Sequence, residues 1–362
     1  MKFAFDAKRL FYNSTGLGNY SRSLIKGLAK FHPNYDLILL TPRVEGTSYA
    51  EFLDEPYQVR VGNNGPWWRV FGMSKDLRQI KPDIYHGLSN ELPHGVGKID
   101  SVKSIVTIHD LIFMKHPEFF PMIDRMIYKE KVKRACKDAS HIIAVSKATK
   151  NDIVHFFNIR PEKISTVYQP CSEIFYENIE IGKVRDNYGL FVGSLTKRKN
   201  LSIVIEAIAL MKKGSRPIIK VVSPGGNQEN TLKKLAASRG VTDHFQWLKG
   251  VDDFQLMKLY QSAKFTIYPS LYEGFGIPVV ESLLCGTPVI ASNKSSIPEA
   301  AAGLATLVDP ESVEQILSAI QENCDSDLRL TFEKVKKVRR LFAPERLISD
   351  VLMVYQNVLA DK

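Results

Sequence analysis

Cysteine is scarce in this chain of 362 residues: Cys136, Cys171, Cys285 and Cys324 stand far apart, without metal-ligand spacing. Cys285 lies in an apolar stretch, as a reduced, buried thiol does, so a reducing cytosol is expected. No apolar run approaches the length of a membrane-spanning helix, and the opening Met-Lys-Phe-Ala-Phe-Asp turns acidic too soon for a signal peptide. Low-complexity tracts and internal repeats are missing too. There is no Gly-x4-Gly-Lys-Ser/Thr, which disfavours a P-loop NTPase. No zinc finger, helix-turn-helix or RNA-binding aromatic motif accompanies the net charge of +10, which disfavours a nucleic-acid partner. The one Asp-x-Asp, Asp325-Ser-Asp327, follows a helix and reads as a polar turn or cap, so no metal is implied.

What is present is a soluble globular composition, 44% hydrophobic and 24% charged, at a length that suggests two domains. Strand-like and helix-like segments alternate, the pattern of parallel sheets with helices on both faces. Lys2 to Phe5, Tyr35 to Leu40, Asp83 to His86, Ser104 to Ile108 and His141 to Val145 read as strands of a first domain, with helices over Gly18 to Lys30 and Asp124 to Lys137. Gly189 to Val192, Ile218 to Val222, Phe245 to Leu248, Phe265 to Tyr268 and Val289 to Ala291 repeat the theme. A strand running into the proline-broken segment that begins Val167-Tyr-Gln-Pro places the linker near residues 169–176, hence domains over 1–168 and 169–344. Ligands of doubly wound sheets bind at the carboxyl ends of strands, so the residues that follow strands matter most.

The most informative of these runs from Phe265 to Ala291: strand, glycine loop, helix, strand. Gly274 and Gly276 permit close backbone approach, Pro278 suits a first helical turn, and Gly286 with Pro288 ends the helix. The helix N-terminus therefore opens on the loop as an anion site. Glu273 in the loop and Glu281 in or near the first turn are placed to accept hydroxyls of a sugar or ribose. Their alternative reading is a solvated loop residue and a carboxylate complementing the helix dipole.

Upstream, a strand ends in Gly193-Ser194, and Lys197, Arg198 and Lys199 precede a helix that starts near Asn200. Three cations at a helix start suit a diphosphate, although alone they would be a lysine-rich surface turn. Gly16-x-Gly18 also leads into a helix, but it lacks the third glycine of a dinucleotide fingerprint, and no acidic residue closes the second strand; a nicotinamide enzyme is disfavoured. His109-Asp110 and, in second rank, His86 follow apolar strands, where Asp110 could orient or charge the His109 ring. Basic runs such as Lys129 to Arg134 read as solvated helix faces. Pro66-Trp-Trp-Arg-Val-Phe71, aromatics beside a cation, is either core packing or a surface for an anionic membrane.

Taken together, Phe191-Val-Gly-Ser-Leu-Thr-Lys-Arg-Lys-Asn200, Tyr268-Pro-Ser-Leu-Tyr-Glu-Gly-Phe-Gly-Ile-Pro278 and Glu281 resemble the family-4 retaining glycosyltransferases of the GT-B fold, over nearly the whole chain. The resemblance implies an α/β architecture of two Rossmann-like domains facing across a cleft, with a C-terminal helix over 345–362 crossing back to the first. It implies transfer of a sugar from a UDP- or GDP-sugar to a glycan or lipid-linked acceptor in cell-surface polysaccharide or glycoconjugate synthesis, without metal or other cofactor. Glu273 and the Gly274-Phe275-Gly276 backbone would touch the donor sugar, Glu281 the ribose, and Arg198 and Lys199 the diphosphate, while His109 reaches the anomeric region. Gly16, Gly18, Gly193 and Ser194 join the donor-binding set. Ser194 is a departure, because many relatives carry arginine there. A cytoplasmic enzyme, peripheral at the inner membrane surface, is the expected setting. Other readings are a GT-B sugar-nucleotide epimerase, a sugar phosphorylase and a non-catalytic sugar-nucleotide-binding protein.

Overall fold

The computed structural model describes residues 1–62, 67–177, 186–325 and 329–360, so Pro66 and Asp327 lie outside the described residues. The chain divides into two compact units, Met1–Pro170 with Ala343–Lys362, and Cys171–Phe342. Each is built on one parallel sheet with helices between its strands.

The first unit contains β1 (Lys2–Asp6), β2 (Asp36–Thr41), β3 (Tyr57–Val61), β4 (Ile84–Gly87), β5 (Lys103–Ile108), β6 (His141–Ala144) and β7 (Ile164–Thr166), in the order β3-β2-β1-β4-β5-β6-β7. Side chains alternate across the sheet, so Phe3, Phe5, Leu37 and Leu39 enter one core layer and Ala4, Ile38 and Leu40 the other. The helix Pro344–Ala360 completes the first of these layers. Its Ile348, Val351, Leu352, Val354, Tyr355 and Val358 are buried there, against strands more than 300 residues earlier in the chain. Helix Gly16–Phe31 meets it at Gly27, where a Cβ would fall 2.6 Å from Ile348.

In the second unit β8 (Tyr188–Val192), β9 (Ile218–Val222), β10 (Phe245–Leu248), β11 (Phe265–Tyr268), β12 (Val289–Ser292) and β13 (Thr306–Val308) take the order β10-β9-β8-β11-β12-β13. Both sheets therefore reverse strand order once, between β1 and β4 and between β8 and β11. Such a switch point leaves a crevice beyond the carboxyl ends of its two strands. In the second sheet the pairing there sets Gly189 opposite Phe265, and a Cβ on Gly189 would lie 2.6 Å from that ring.

Candidate active site

The loops after β8 and β11 flank the switch point, and this brings Arg198 and Lys199 to Glu273 across some 75 residues of sequence. After β8 the chain turns at Gly193, whose N–H donates to Val222 O (3.0 Å), and makes one tight turn, Lys197–Lys199. Asn200 ends that turn at φ +57°, and its Nδ2 donates to Pro310 O (2.7 Å). Leu271 N–H donates to Arg198 O (2.9 Å), so backbone as well as side chains joins the two loops.

Glu273 is only 8% exposed, and its Oε1 lies 2.6 Å from both Arg198 Nη1 and Lys199 Nζ. Burial opposes its ionisation, but the two cations outweigh that and hold the carboxyl at about 2. Burial and the repulsion of Arg198 lower Lys199, while Glu273 works to keep it charged. Lys199 also donates to Tyr268 Oη (2.6 Å), and Arg198 to Tyr272 O (2.8 Å). The cations are thus positioned before any ligand arrives, which is what electrostatic stabilisation requires.

The glycine loop is pinned from below by the turn after β12. Ser295 Oγ accepts from Glu273 N–H (3.0 Å), and the buried Ser296 hydroxyl lies 2.9 Å from both Glu273 O and Phe275 O. Gly276 has φ +117°, a conformation that favours glycine. Phe275 turns its ring into the core against Phe342 (centroids 5.7 Å apart), so it can offer a ligand only its backbone. Helix Ile277–Leu284 starts at Gly276 with no side-chain cap and with Pro278 in its first turn. Pro278 has no N–H and the Val279 N–H donates to Gly276 O (3.0 Å), so this start offers an anion chiefly the positive end of the helix dipole.

Glu281 is the fifth residue of that helix, one turn deeper than a dipole-complementing carboxylate needs to be. It is 9% exposed, and its Oε2 accepts from Tyr260 Oη (3.0 Å). Burial raises its carboxyl to about 7, against the opposing hydrogen bond from Tyr260. The native state then holds a proton that the unfolded chain releases near 4.5, so this contribution to stability is full below that value and is lost as pH rises through 7. Two to three units correspond to a loss on the order of 3 kcal/mol. Thermal melts should show the ligand-free protein losing several degrees between pH 5 and 8, a loss that Glu281→Gln largely removes. Equal slopes for the two proteins would refute the assignment.

His109, Gly16 and Gly18 belong to the first unit and the other anticipated site residues to the second. His109 is buried just beyond β5, at the side of its sheet's switch point. Its Nε2 donates to Leu88 O (2.8 Å), its Nδ1 accepts from Gln169 Nε2 (2.6 Å), and Tyr20 stands edge-on to the ring. Burial lowers it to about 4, so it is neutral at pH 7. Leu88 and Gln169 fix the ring, whereas Asp110 accepts from Ile112 N–H. His86 is wholly interior, bonded to Tyr355 Oη (2.6 Å) and Thr107 Oγ1 (2.7 Å), a core group that fastens the C-terminal helix. Gly18 packs so tightly that a Cβ would lie 1.7 Å from Asn13 O, whereas Gly16 faces open space at the helix start. Trp68 is core, and Arg69 turns inward to Asp6 Oδ2 (2.7 Å) and Glu91 Oε2 (3.0 Å), so that cation is not presented to a membrane.

Several groups escaped the sequence reading. Gly225-Gly226 follows β9, and Leu195 N–H donates to Gly225 O (2.9 Å); a Cβ on Gly226 would lie 2.3 Å from Leu195 O. Attention to strand ends would have found that pair. Tyr260, in the last turn of helix Asp253–Ser262, and Gln169, in the connecting segment, carry no sequence signal for their contacts. Among the described residues no group of three or more His, Cys, Asp or Glu could hold a metal, and no helix is long and apolar enough to cross a membrane.

Two doubly wound domains in tandem, with a cationic pair and a glycine loop at the second switch point, are the architecture of the GT-B fold class. Residues 14–171 match Glycosyltransferase Family 4, and residues 177–338 match Glycosyl transferases group 1. An O-antigen chain mannosyltransferase B of Escherichia coli is 28% identical, the match covering 90% of this chain and 91% of that protein. Among solved structures, the fold is shared with sucrose-phosphate synthase from Thermosynechococcus elongatus (TM-score 0.77, 16% identity, 100% of both chains). It is shared also with Anabaena HepE in complex with UDP (TM-score 0.73, 15% identity, 98% of this chain and 99% of that one). The chain belongs to the family-4 glycosyltransferases and is a glycosyltransferase.

Proposed function

We propose that this protein transfers a sugar from a UDP- or GDP-sugar to a glycan or lipid-linked acceptor, with retention at the anomeric carbon and without a metal, in synthesis of a cell-surface polysaccharide. The observation that carries the reading is the convergence of Arg198 and Lys199 on Glu273 beside the uncapped start of helix Ile277–Leu284. In the donor complex the two cations take the diphosphate, Glu273 and the Gly274–Gly276 backbone the sugar, and Glu281 the ribose diol. Gly193 and Ser194 line the turn beneath the diphosphate. His109, neutral and with both ring nitrogens engaged, is a fixed wall near the anomeric carbon and moves no proton; Gly16 and Gly18 lie at the helix start of the same unit.

Breaking the glycosidic bond places positive charge on the sugar ring and negative charge on the leaving nucleotide. Cations and N–H groups fixed in advance bind the second more tightly than the ground state, which lowers the barrier. That work needs no metal where two side-chain cations already stand. Retention then follows from attack by the acceptor on the face that the nucleotide leaves, because the site offers no evident nucleophile to form a sugar–enzyme bond. A covalent adduct trapped by mass spectrometry would count against this.

The E. coli relative makes mannose the first sugar to test. A panel of UDP- and GDP-sugars, followed for nucleotide release with and without chelator, should show one preferred donor and no loss with chelator. Binding without release from any donor, even with candidate acceptors present, would favour a non-catalytic binding protein.

A further inference from the structure

Tyr268 closes β11, the strand between β8 and β12, and it is buried. It pairs in register with Ala291 of β12, so its backbone belongs to the rigid sheet and not to the glycine loop that follows. A phenol hydroxyl at such depth is costly unless it is bonded. Lys199 Nζ donates to Oη (2.6 Å) and lies 4.7 Å from the ring centroid, so the contact is with the hydroxyl rather than the ring face. The hydroxyl also bonds with Glu273, and because a carboxylate only accepts, the phenol proton goes to that side. Burial, and then the charge of Glu273, hold the hydroxyl well above its ordinary range, so it stays protonated. Of the three N–H groups of Lys199, one is turned to Tyr268 and one to Glu273 Oε1 (2.6 Å), which leaves the third for a ligand.

We propose that Tyr268 is a positioning residue for the transfer, its hydroxyl fixing the Lys199 ammonium so that the remaining N–H meets the leaving diphosphate. The inference rests on the donor reading above, in which Lys199 is a cation at that diphosphate. Glu273 by itself cannot set the direction. Its Oε1 is shared with Arg198 at the same 2.6 Å, and an ammonium on a flexible four-carbon stem can turn about a single carboxylate contact. A second acceptor, on a different element and inside the sheet, removes that freedom. Because the hydroxyl is neutral, it orients the ammonium without cancelling the positive charge, as a second carboxylate would. Phenylalanine would fill the same space and keep the packing, but Lys199 would be left to the pull of Glu273 alone. Tyr268 therefore acts through Lys199 and touches no substrate itself.

Tyr268→Phe, Lys199→Ala and the double variant, followed for nucleotide release from the donor preferred in the panel of UDP- and GDP-sugars, test it. Tyr268→Phe should lower kcat about tenfold or more, as the loss of one hydrogen bond to a charged group does, and leave the donor KM within about threefold. The alkaline fall of kcat should move down by about one pH unit, because an ammonium with one acceptor fewer gives up its proton sooner. Around Lys199 stand Arg198 from its own turn, Glu273 from the glycine loop and Tyr268 from β11. Glu273 is ionised throughout that range, Tyr268 and the guanidinium keep their protons, and Glu281, near 7, titrates below it, so the limb reports Lys199. In the Lys199→Ala background the same change should cost less than about twofold, since nothing is left to position. A tyrosine that only packs would cost the same in both backgrounds and leave the limb in place, and either result overturns the proposal. If Lys199→Ala is slow while Tyr268→Phe matches the parent, the proposal alone fails; if Lys199→Ala keeps the parent's rate, the donor reading fails with it. Tyr268→Met, which also lacks the hydroxyl, takes the place of the phenylalanine variant should that one not fold.

Discussion

Replacing Lys199 with alanine is expected to lower kcat by roughly 100- to 1,000-fold, the usual loss when one preorganised charge at a developing anion is removed. Lys199 is held by Glu273 and by the Tyr268 hydroxyl, both at 2.6 Å, at the end of a short turn closed by Asn200. In the proposed reaction its ammonium would then need no reorganisation as charge builds on the leaving diphosphate. Arginine should not restore the rate. The site is 11% exposed at Lys199 and shaped around a compact ammonium, and a planar guanidinium would displace Tyr268 or Arg198. Nucleotide release under saturating donor measures the effect, and an alanine variant within about threefold of the parent would remove Lys199 from the reaction.

Glu273→Ala should act on stability as strongly as on turnover. Removing the carboxylate leaves Arg198 and the buried Lys199 side by side without the negative charge of Glu273, and breaking a buried pair this way costs about 3–5 kcal/mol. For a unit of this size that corresponds to a fall in Tm of roughly 6 °C or more. A nucleoside diphosphate should then raise the Tm of the variant by more than it raises the parent's, because its phosphates supply the missing negative charge. Calorimetry with and without UDP or GDP reads both quantities. If the variant melts with the parent, or gains no more from the nucleotide, the three side chains do not form the diphosphate site. Acid gives a second check. With the carboxyl held at about 2, its contribution is present above the unfolded value near 4.5 and is lost as pH falls through 2, so only the parent should show that loss.

The interior strands were legible in the sequence because a buried parallel strand must be apolar on both faces. Phe265–Tyr268 is such a run and its ends agree with the structure; those of Ile218–Val222 and of the edge strand Phe245–Leu248 agree too, because β-branched and aromatic residues mark them despite Lys220 and Gln246. β3 and β13 were not read, and both are sheet edges. Each has one covered side at most, so Tyr-Gln-Val-Arg-Val and Thr-Leu-Val lack the continuous apolar signature. The aromatic stretch Trp67–Phe71 shows the same limit from another direction. Adjacent tryptophans look alike in sequence, yet Trp68 is core and Trp67 is exposed, because Trp68 alone lies over the backbone of Gly62, where a Cβ would fall 1.9 Å from its ring.

The sequence alone determined the two doubly wound domains, the glycine loop before helix Ile277–Leu284, and the family, since each is a local pattern of apolar runs, glycines and prolines. Only the tertiary structure decided what the charged groups do. Strand order at the second switch point set Glu273 against Arg198 and Lys199. Packing of an unremarked helix put the Tyr260 hydroxyl on Glu281. The same kind of position after a strand made His86 a core fastening for Tyr355 and left His109 clamped by Leu88 and Gln169. A carboxylate or imidazole takes its protonation state and partners from burial and from neighbours within a few ångströms, and those neighbours come from distant parts of the chain.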